Sequence, residues 1–310
     1  MKSSSDPSVV SLCAPAKINW FLRVTGKRSD GYHEIYSAMQ TVSLYDSIII
    51  EPAEALELIT DLTIPIKENL VYKAADIFFA HDRFKAANTR NNSARITLKK
   101  EIPEQAGLGG GSSDAAYTLI GLNRLFGCIF TIEDLTEMAS AIGSDVPFFI
   151  CGSFAVVSGR GEMVIAHKVN SEINILLVKP PFPISTAWGY GQFAGRGFSA
   201  VSDRDALRDG LISALESSDF KHIARVMKND IEDVLKDKFP LIGEIEDALL
   251  KEGAAAAMLS GSGSAVFGVF KDAMTRDDAA LTIAKNYPDC LIRKAATKAS
   301  AGHLTQNRDT

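Results

Sequence analysis

Apolar residues change period several times along this chain, and each change marks an element. From 9 to 24 they alternate as in a strand, with Ile18, Trp20, Leu22 and Val24 on one face, Lys17 and Asn19 on the other, and Pro15 read as a break. Gly26-Lys-Arg-Ser-Asp-Gly31 is a turn, followed by strand-like runs at 35–42 and 47–51 and a short one within 54–60. Asn69 is placed to cap a helix over 70–80 that aligns Leu70, Ala74 and Phe78. A strand at 95–99 leads through Pro103 to a glycine-rich stretch. A helical run follows it, with Ala115, Leu119, Leu122 and Phe126 on one face. Thr131-Ile-Glu-Asp134 resembles a capping box with Asp in place of Glu, and its helix ends at Gly143. An apolar run occupies 146–157, and 158–170 reads as a crossing between two halves.

After that crossing the pattern changes. A strand at 173–179 is followed by a loop fixed by Pro180, Pro181 and Pro183, then by helices at 203–217, 219–228 and 241–251. Strands at 254–259 and 265–270 flank Ser260-Gly-Ser-Gly-Ser264, a helix spans 273–286, and a last strand spans 290–297. That order predicts a split βαβ, ferredoxin-like arrangement. The first eight residues and the last dozen are polar and read as frayed.

The chain has 310 residues, 46% of them hydrophobic and 23% charged, which suits a globular protein of one large or two ordinary domains. A net charge of -5 argues against a nucleic-acid or membrane partner, so an anionic ligand must be met by local positive groups. The four cysteines (13, 128, 151, 290) form no C-x-x-C pair and no metal spacing, and read as buried thiols in a reducing compartment. The N-terminus lacks the apolar core of a signal peptide, and no apolar run approaches a membrane span, so a cytoplasmic location is expected.

The strongest chemical signal is Gly107-Leu-Gly-Gly-Gly-Ser-Ser-Asp114. Glycines admit φ > 0 and close backbone approach, and the following helix start offers N–H groups and a favourable dipole to an anion. Ser112, Ser113 and Asp114 suit an N-cap and first turn. The stretch is neither a Walker A loop nor a dinucleotide fingerprint, and a phosphate site at a helix N-terminus is predicted. Three other features are open to two readings each. Lys17 and Asn19 form either a solvated edge or a polar face aimed at a phosphate. Tyr32-His33 is either a ligand contact or a half-buried ring beside a solvated imidazole. Asp145 follows a helix end, where the dipole does not favour its charge, and is either an Asx-type turn or a general base.

Ala14-Pro-Ala-Lys-Ile-Asn19, Pro103-Glu-Gln-Ala-Gly-Leu-Gly-Gly-Gly-Ser-Ser113 and Leu259-Ser-Gly-Ser-Gly-Ser264 stand in the order and spacing of the GHMP small-molecule kinases, which the chain resembles from about residue 10 to about 300. Gly31-Tyr-His33, Gly-Ser-Asp-Val-Pro147 and Ile184-Ser-Thr-Ala-Trp188 narrow the resemblance to the branch acting on 4-diphosphocytidyl-2-C-methyl-D-erythritol. One departure is Glu104-Gln105-Ala106, where that family often has a further glycine.

The resemblance implies an α+β, two-domain GHMP kinase fold, with an N-terminal ATP-binding domain at 1–165 and a C-terminal ferredoxin-like substrate domain at 166–310. It implies ATP and Mg2+ as cofactors, without assigning a protein ligand to the metal. It implies a cytidine diphosphate-linked methylerythritol as the small-molecule substrate, phosphorylated on its 2-hydroxyl in the non-mevalonate route to isoprenoid precursors. A monomer or weak homodimer is implied, with no nucleic-acid or membrane partner. Asp145 would be the base, and Lys17 would keep it ionised and stabilise the reacting oxygen or γ-phosphate. Gly107, Leu108, Gly109, Gly110, Gly111, Ser112 and Ser113 would hold the triphosphate, and Asn69 and Lys100 would line the adenine pocket. Tyr32 and Tyr190 would sandwich the cytosine, His33 would bond its edge, Asn19 and Thr186 would meet the methylerythritol end, and Gly261–Ser264 would border the cleft. The competing expectations are a GHMP kinase of homoserine or mevalonate type, or a regulator that binds nucleotide without turnover.

Overall fold

The computed structural model describes residues 9–87, 92–193 and 197–299. The ends read as frayed, except residue 299, lie outside the described residues. The chain divides into two compact units, each assembled from separated segments.

The first unit takes residues 1–16, 45–102 and 109–151. Two long strands, β1 (Val10–Lys27) and β2 (His33–Ala53), each pass from one unit into the other. β1 runs through Pro15 without a break, because a proline φ lies within the extended region and only one ladder donor is lost. The two runs expected at 35–42 and 47–51 are a single strand. β3 (Glu57–Thr60) follows, then α1 (Leu70–Ala80), α2 (Asp82–Ala86), β4 (Ser93–Lys99), α3 (Gly110–Leu125), α4 (Ile132–Ile142) and α5 (Val146–Cys151). β4 pairs antiparallel with β2, Ile50 opposite Ile96, and parallel with β3. Thr131 closes the capping box with Asp134 as the sequence predicts. α3 is buried on nearly every side, so Gly121 is there for space: a Cβ would lie 2.5 Å from Ile50 Cδ1 and 2.8 Å from Leu12 Cδ1. Phe78 packs against Phe84 and Phe130 with ring centroids 5.3 and 5.0 Å away, locking α1 to the ends of its neighbours.

The second unit takes residues 17–44, 103–108 and 152–310. β5 (Phe154–Gly159) pairs antiparallel with β2 and with β6 (Met163–Ala166). The stretch read as a crossing therefore begins as a hairpin, turned by Gly159 at φ 71° and Gly161 at φ 122°. Next come β7 (Asn174–Lys179), α6 (Thr186–Gln192), α7 (Arg204–Ser217), α8 (Phe220–Val226), β8 (Lys228–Asn229), α9 (Glu232–Lys238) and α10 (Leu241–Lys251). The last elements are β9 (Ala256–Leu259), β10 (Val266–Phe270), α11 (Ala273–Asn286) and β11 (Leu291–Ala296). β8 pairs parallel with β1 at Phe21 and Leu22. A four-stranded antiparallel sheet has the order β11-β7-β10-β9, which in chain order is fourth, first, third, second, the split βαβ arrangement the sequence predicts. Fully buried Trp20 meets Phe267 edge to face at 6.1 Å and donates its indole N–H to Gln40 at 2.8 Å.

The expectation of buried thiols fails, since none of the four is fully buried. All four cysteines are unbridged, but Cys13 and Cys128 are exposed and Cys151 and Cys290 half-buried.

Candidate active site

In the second unit, two glycine loops meet backbone to backbone. Gly107 has φ 76°, and a Cβ there would fall 2.0 Å from the Ser260 carbonyl oxygen. A Cβ on Gly263 would fall 1.9 Å from the Gly107 nitrogen. No side chain fits at either position. Ser260 Oγ donates to the Gly107 carbonyl at 3.1 Å, Ala265 N–H to Ala106 at 3.0 Å, and Lys17 N–H to Leu108 at 2.9 Å. Gln105, within the stretch where the family resemblance expects a further glycine, takes φ 50° without being glycine. The left-handed turn is kept, at a strain of about 1 kcal/mol.

Lys17 and Asn19 are buried, 3% and 1% exposed, which rules out the solvated-edge reading. β1 is an interior strand here, with β2 and β8 paired along its two edges, and residues on both of its faces are buried from Ala14 to Leu22. Lys17 Nζ donates to Asn19 Oδ1 at 2.6 Å, and Asn19 donates to Ser37 Oγ at 2.8 Å. Gly261, at φ 59°, sits over this pair: a Cβ there would lie 3.1 Å from Lys17 Nζ and 3.2 Å from Asn19 Oδ1. Asn229 fixes the second loop from below, donating to the carbonyls of Leu259 at 3.0 Å and Gly261 at 2.7 Å. The sequence reading missed Asn229, because a two-residue strand between helices leaves no periodic trace.

The aromatic residues assemble differently from expectation. His33 stacks on Tyr190 at 5.4 Å with an interplanar angle of 24°, and Phe193 meets His33 edge-on. Tyr32 is exposed and carries the Arg160 guanidinium over its ring at 5.3 Å. The ring brought to Tyr190 is thus His33, not Tyr32. Burial, then the Lys27 charge, lowers the His33 pKa and favours the neutral ring, which offers one donor and one acceptor. Thr186 is the exposed first residue of α6, behind the N-cap Ser185.

In the first unit, α3 begins at Gly110, ahead of the three residues that the sequence offers as N-cap and first turn. Its N-cap is Gly109 at φ 70°, with no side-chain cap, so Ser112, Ser113 and Asp114 lie inside the helix. The first helical bond runs from Ser113 N–H to Gly109 O at 2.8 Å, which leaves the N–H groups of Gly110, Gly111 and Ser112 ahead of it. Fully buried Ser113 Oγ has no hydrogen-bond partner. Asn69 caps α1 by accepting from Val71 N–H at 2.9 Å, and Leu70 approaches Gly111.

Lys100 donates to Asp114 Oδ2 at 2.6 Å and also to Asp46. Asp46 Oδ1 accepts the N–H groups of Glu101 and Ile102 at 2.6 and 2.8 Å, whereas Asp114 Oδ1 accepts nothing. One ammonium shared by two buried carboxylates leaves an excess of negative charge. Burial first, then the Asp46 charge, pushes the Asp114 carboxyl up to about 7 against the pull of Lys100. The sequence reading passed over Asp46, yet a signal exists: Leu44, Asp46, Ile48 and Ile50 alternate inward, placing an acid on an apolar strand face. Asp145 is half-buried and immediately precedes α5, so the apolar run that follows it opens as a helix, and the dipole there favours its charge.

Within the first unit, the α3 start after Gly109 offers backbone donors that suit an anion such as a phosphate. No group of three or more His, Cys, Asp or Glu suitable for a metal exists among the described residues. Magnesium fits only as an ion held largely by phosphate oxygens and water.

The profile described as GHMP kinases N terminal domain matches residues 69–153, and that described as GHMP kinases C terminal matches 211–289. A 4-diphosphocytidyl-2-C-methyl-D-erythritol kinase of Thermodesulfovibrio yellowstonii is 40% identical over 260 residues, covering 83% of this chain and 88% of the relative. A crystal structure of 4-(cytidine 5'-diphospho)-2C-methyl-D-erythritol kinase superposes with a TM-score of 0.76 at 29% identity, covering 94% of this chain and 100% of that one. Homoserine kinase from Cytophaga hutchinsonii shares the fold, with a TM-score of 0.74 at 17% identity over 97% of this chain and 98% of that one. The α+β architecture with its split βαβ sheet, the two interlocked glycine loops and these similarities lead to one conclusion: the chain belongs to the GHMP kinases, in the family of the 4-diphosphocytidyl-2-C-methyl-D-erythritol kinases.

Proposed function

We propose that this chain transfers the γ-phosphoryl group of ATP to the 2-hydroxyl of 4-diphosphocytidyl-2-C-methyl-D-erythritol, giving the 2-phosphate and ADP, in the non-mevalonate route to isoprenoid precursors. The observation that carries the reading is the pair of interlocked glycine loops, where Gly107 and Gly263 exclude every side chain. The identity of 40% with a kinase of that name supports the acceptor.

Asp145 takes the proton of the 2-hydroxyl as its oxygen bonds to the γ-phosphorus. The bond from that phosphorus to the β,γ-bridging oxygen breaks, ADP leaves with the electron pair, and the proton remains on Asp145. Lys17 supplies positive charge to the transferring group, and the Asn19 amide holds Lys17 in place through the 2.6 Å bond. Bound magnesium neutralises the phosphate oxygens. Neutral His33, stacked with Tyr190, recognises the cytosine edge, with Tyr32 and Thr186 as further substrate contacts. The reading keeps 1–165 as the ATP-binding domain and 166–310 as the substrate domain, in a cytoplasmic monomer or weak dimer. No helix among the described residues is long and apolar enough to cross a membrane.

The test is ADP release from Mg·ATP with the cytidylyl alcohol, homoserine and mevalonate offered in parallel. Turnover with the cytidylyl alcohol alone is expected, and Asp145→Asn should lower it at least ~100-fold while sparing ATP binding. Turnover with homoserine or mevalonate instead would keep the phosphoryl chemistry and discard the cytosine reading. ATP binding without turnover on any of the three would favour a regulator.

A further inference from the structure

The family resemblance sends Lys100 to the adenine pocket, but its ammonium is occupied. It lies between two carboxylates, with side-chain exposures of 10% for Lys100, 0% for Asp46 and 2% for Asp114. The two acids sit on different parts of the first unit. Asp46 belongs to β2 and binds the N–H groups of Glu101 and Ile102, where the chain leaves β4 for the glycine loop. Asp114 belongs to the second turn of α3, four residues after Gly110. Lys100 is therefore the tie between strand and helix. Gly110, the first residue of α3, lies against this tie: a Cβ there would come 3.2 Å from Lys100 Nζ and 2.9 Å from Ile102 Cγ2. No side chain fits between this tie and the helix start, so Lys100 and Ile102 lie close beside the N–H groups ahead of the first helical bond.

We propose that Lys100 is a positioning residue, which, clamped between Asp46 and Asp114, fixes the start of α3 and so the aim of its N–H groups at the nucleotide's phosphates. The inference rests on the kinase reading, in which those groups hold a triphosphate. It differs from the adenine-pocket role in what is lost with the lysine. A contact to the base helps only ligands that carry a base. A fixed helix start helps any polyphosphate.

The probes are ATP and inorganic tripolyphosphate, each titrated with magnesium into the full chain. Lys100→Met leaves two buried acids without their cation and risks misfolding. The paired variant Lys100→Met with Asp114→Asn keeps the cluster at the same formal charge, since Asp46 alone then carries it, and Asp46 retains its two backbone donors. In that variant, affinity for ATP and for tripolyphosphate is expected to fall by the same factor, tenfold or more. The KM for ATP should rise by a like factor, while the KM for the acceptor alcohol stays unchanged. Restoring the lysine beside Asp114→Asn should recover most of both affinities, because the asparagine carbonyl still accepts from the ammonium. A loss for ATP with tripolyphosphate unaffected would overturn the inference in favour of a base contact. Unchanged affinity for both would overturn it outright. Failure of the unaltered chain to bind ATP is a different result: it would bring down the kinase reading and this inference with it.

Discussion

Asp114 shows how a single residue can make stability depend on pH. Its folded pKa of about 7 stands well above the ordinary carboxylate value near ~3.9, because burial and the Asp46 charge outweigh the shared Lys100. A raised pKa means that the fold prefers the protonated acid. The contribution is fully present below about pH 4 and is lost as the pH rises through about 7, at up to ~1.4 kcal/mol per pH unit. Asp114→Asn removes the titration and keeps an acceptor for Lys100. The wild type is expected to lose stability relative to that variant between about pH 4 and pH 7, with a constant difference above. Urea unfolding at several pH values measures it, and a difference that stays flat across the window would refute the assignment. At this scale the sequence was partly legible. The two glycine loops declare themselves through residue type and position, while Lys17 and Asn19 stay open between a solvated edge and a buried polar face until burial decides. The His33–Tyr190 stack does not, since 157 residues of chain separate rings that only the tertiary fold unites. Gln105 carries no mark either, because side-chain chemistry does not reveal that a glutamine holds a φ of 50°.

Elements with their own caps were legible almost to the residue. Asn69 begins α1, Thr131 with Asp134 begins α4, and Asp272 begins α11, accepting from Thr275 N–H at 2.8 Å. Other elements were missed, α6 despite its Ser185 cap. α6 hides behind Gly189 and Gly191, α9 is seven residues long, and α5 starts inside an apolar run that reads equally well as strand. The pair of glycine loops is itself an element-scale device, and it predicts an asymmetry between glycines. Gly263→Ala must push apart two backbones, since its Cβ would fall 1.9 Å from the Gly107 nitrogen. A loss of about 3 kcal/mol or more is expected. Gly191→Ala, in α6 with no atom within 4 Å of its Cβ, should be neutral or stabilising by up to about 1 kcal/mol. Urea midpoints at constant slope read both, and equal effects would contradict the packing described.

At the scale of the whole molecule, the order of elements after β7 reveals the split βαβ sheet, because each turn and helix there is local in sequence. The two units are less legible. Residues 17–44 and 103–108 join the unit that also holds 152–310, and nothing in the period of β1 or β2 marks where one unit gives way to the other. Such long-range construction slows folding relative to local helix formation. On refolding from urea, recovery of ATP binding is expected to trail recovery of the far-UV circular dichroism signal. Simultaneous recovery would mean that the interlocked glycine loops form with the helices, against this expectation.

The same contact bears on how the protein is born. Ser260 and Gly107, bonded through the serine hydroxyl, stand 153 residues apart. With ribosomes adding about 5 to 20 residues per second, the first loop is made roughly 8 to 30 s before its partner. During that interval the nascent chain holds the helix that opens on Gly109 but not the backbone that closes over Gly107. Any nucleotide site that needs both glycine loops is therefore complete only once the chain has been made through the second loop.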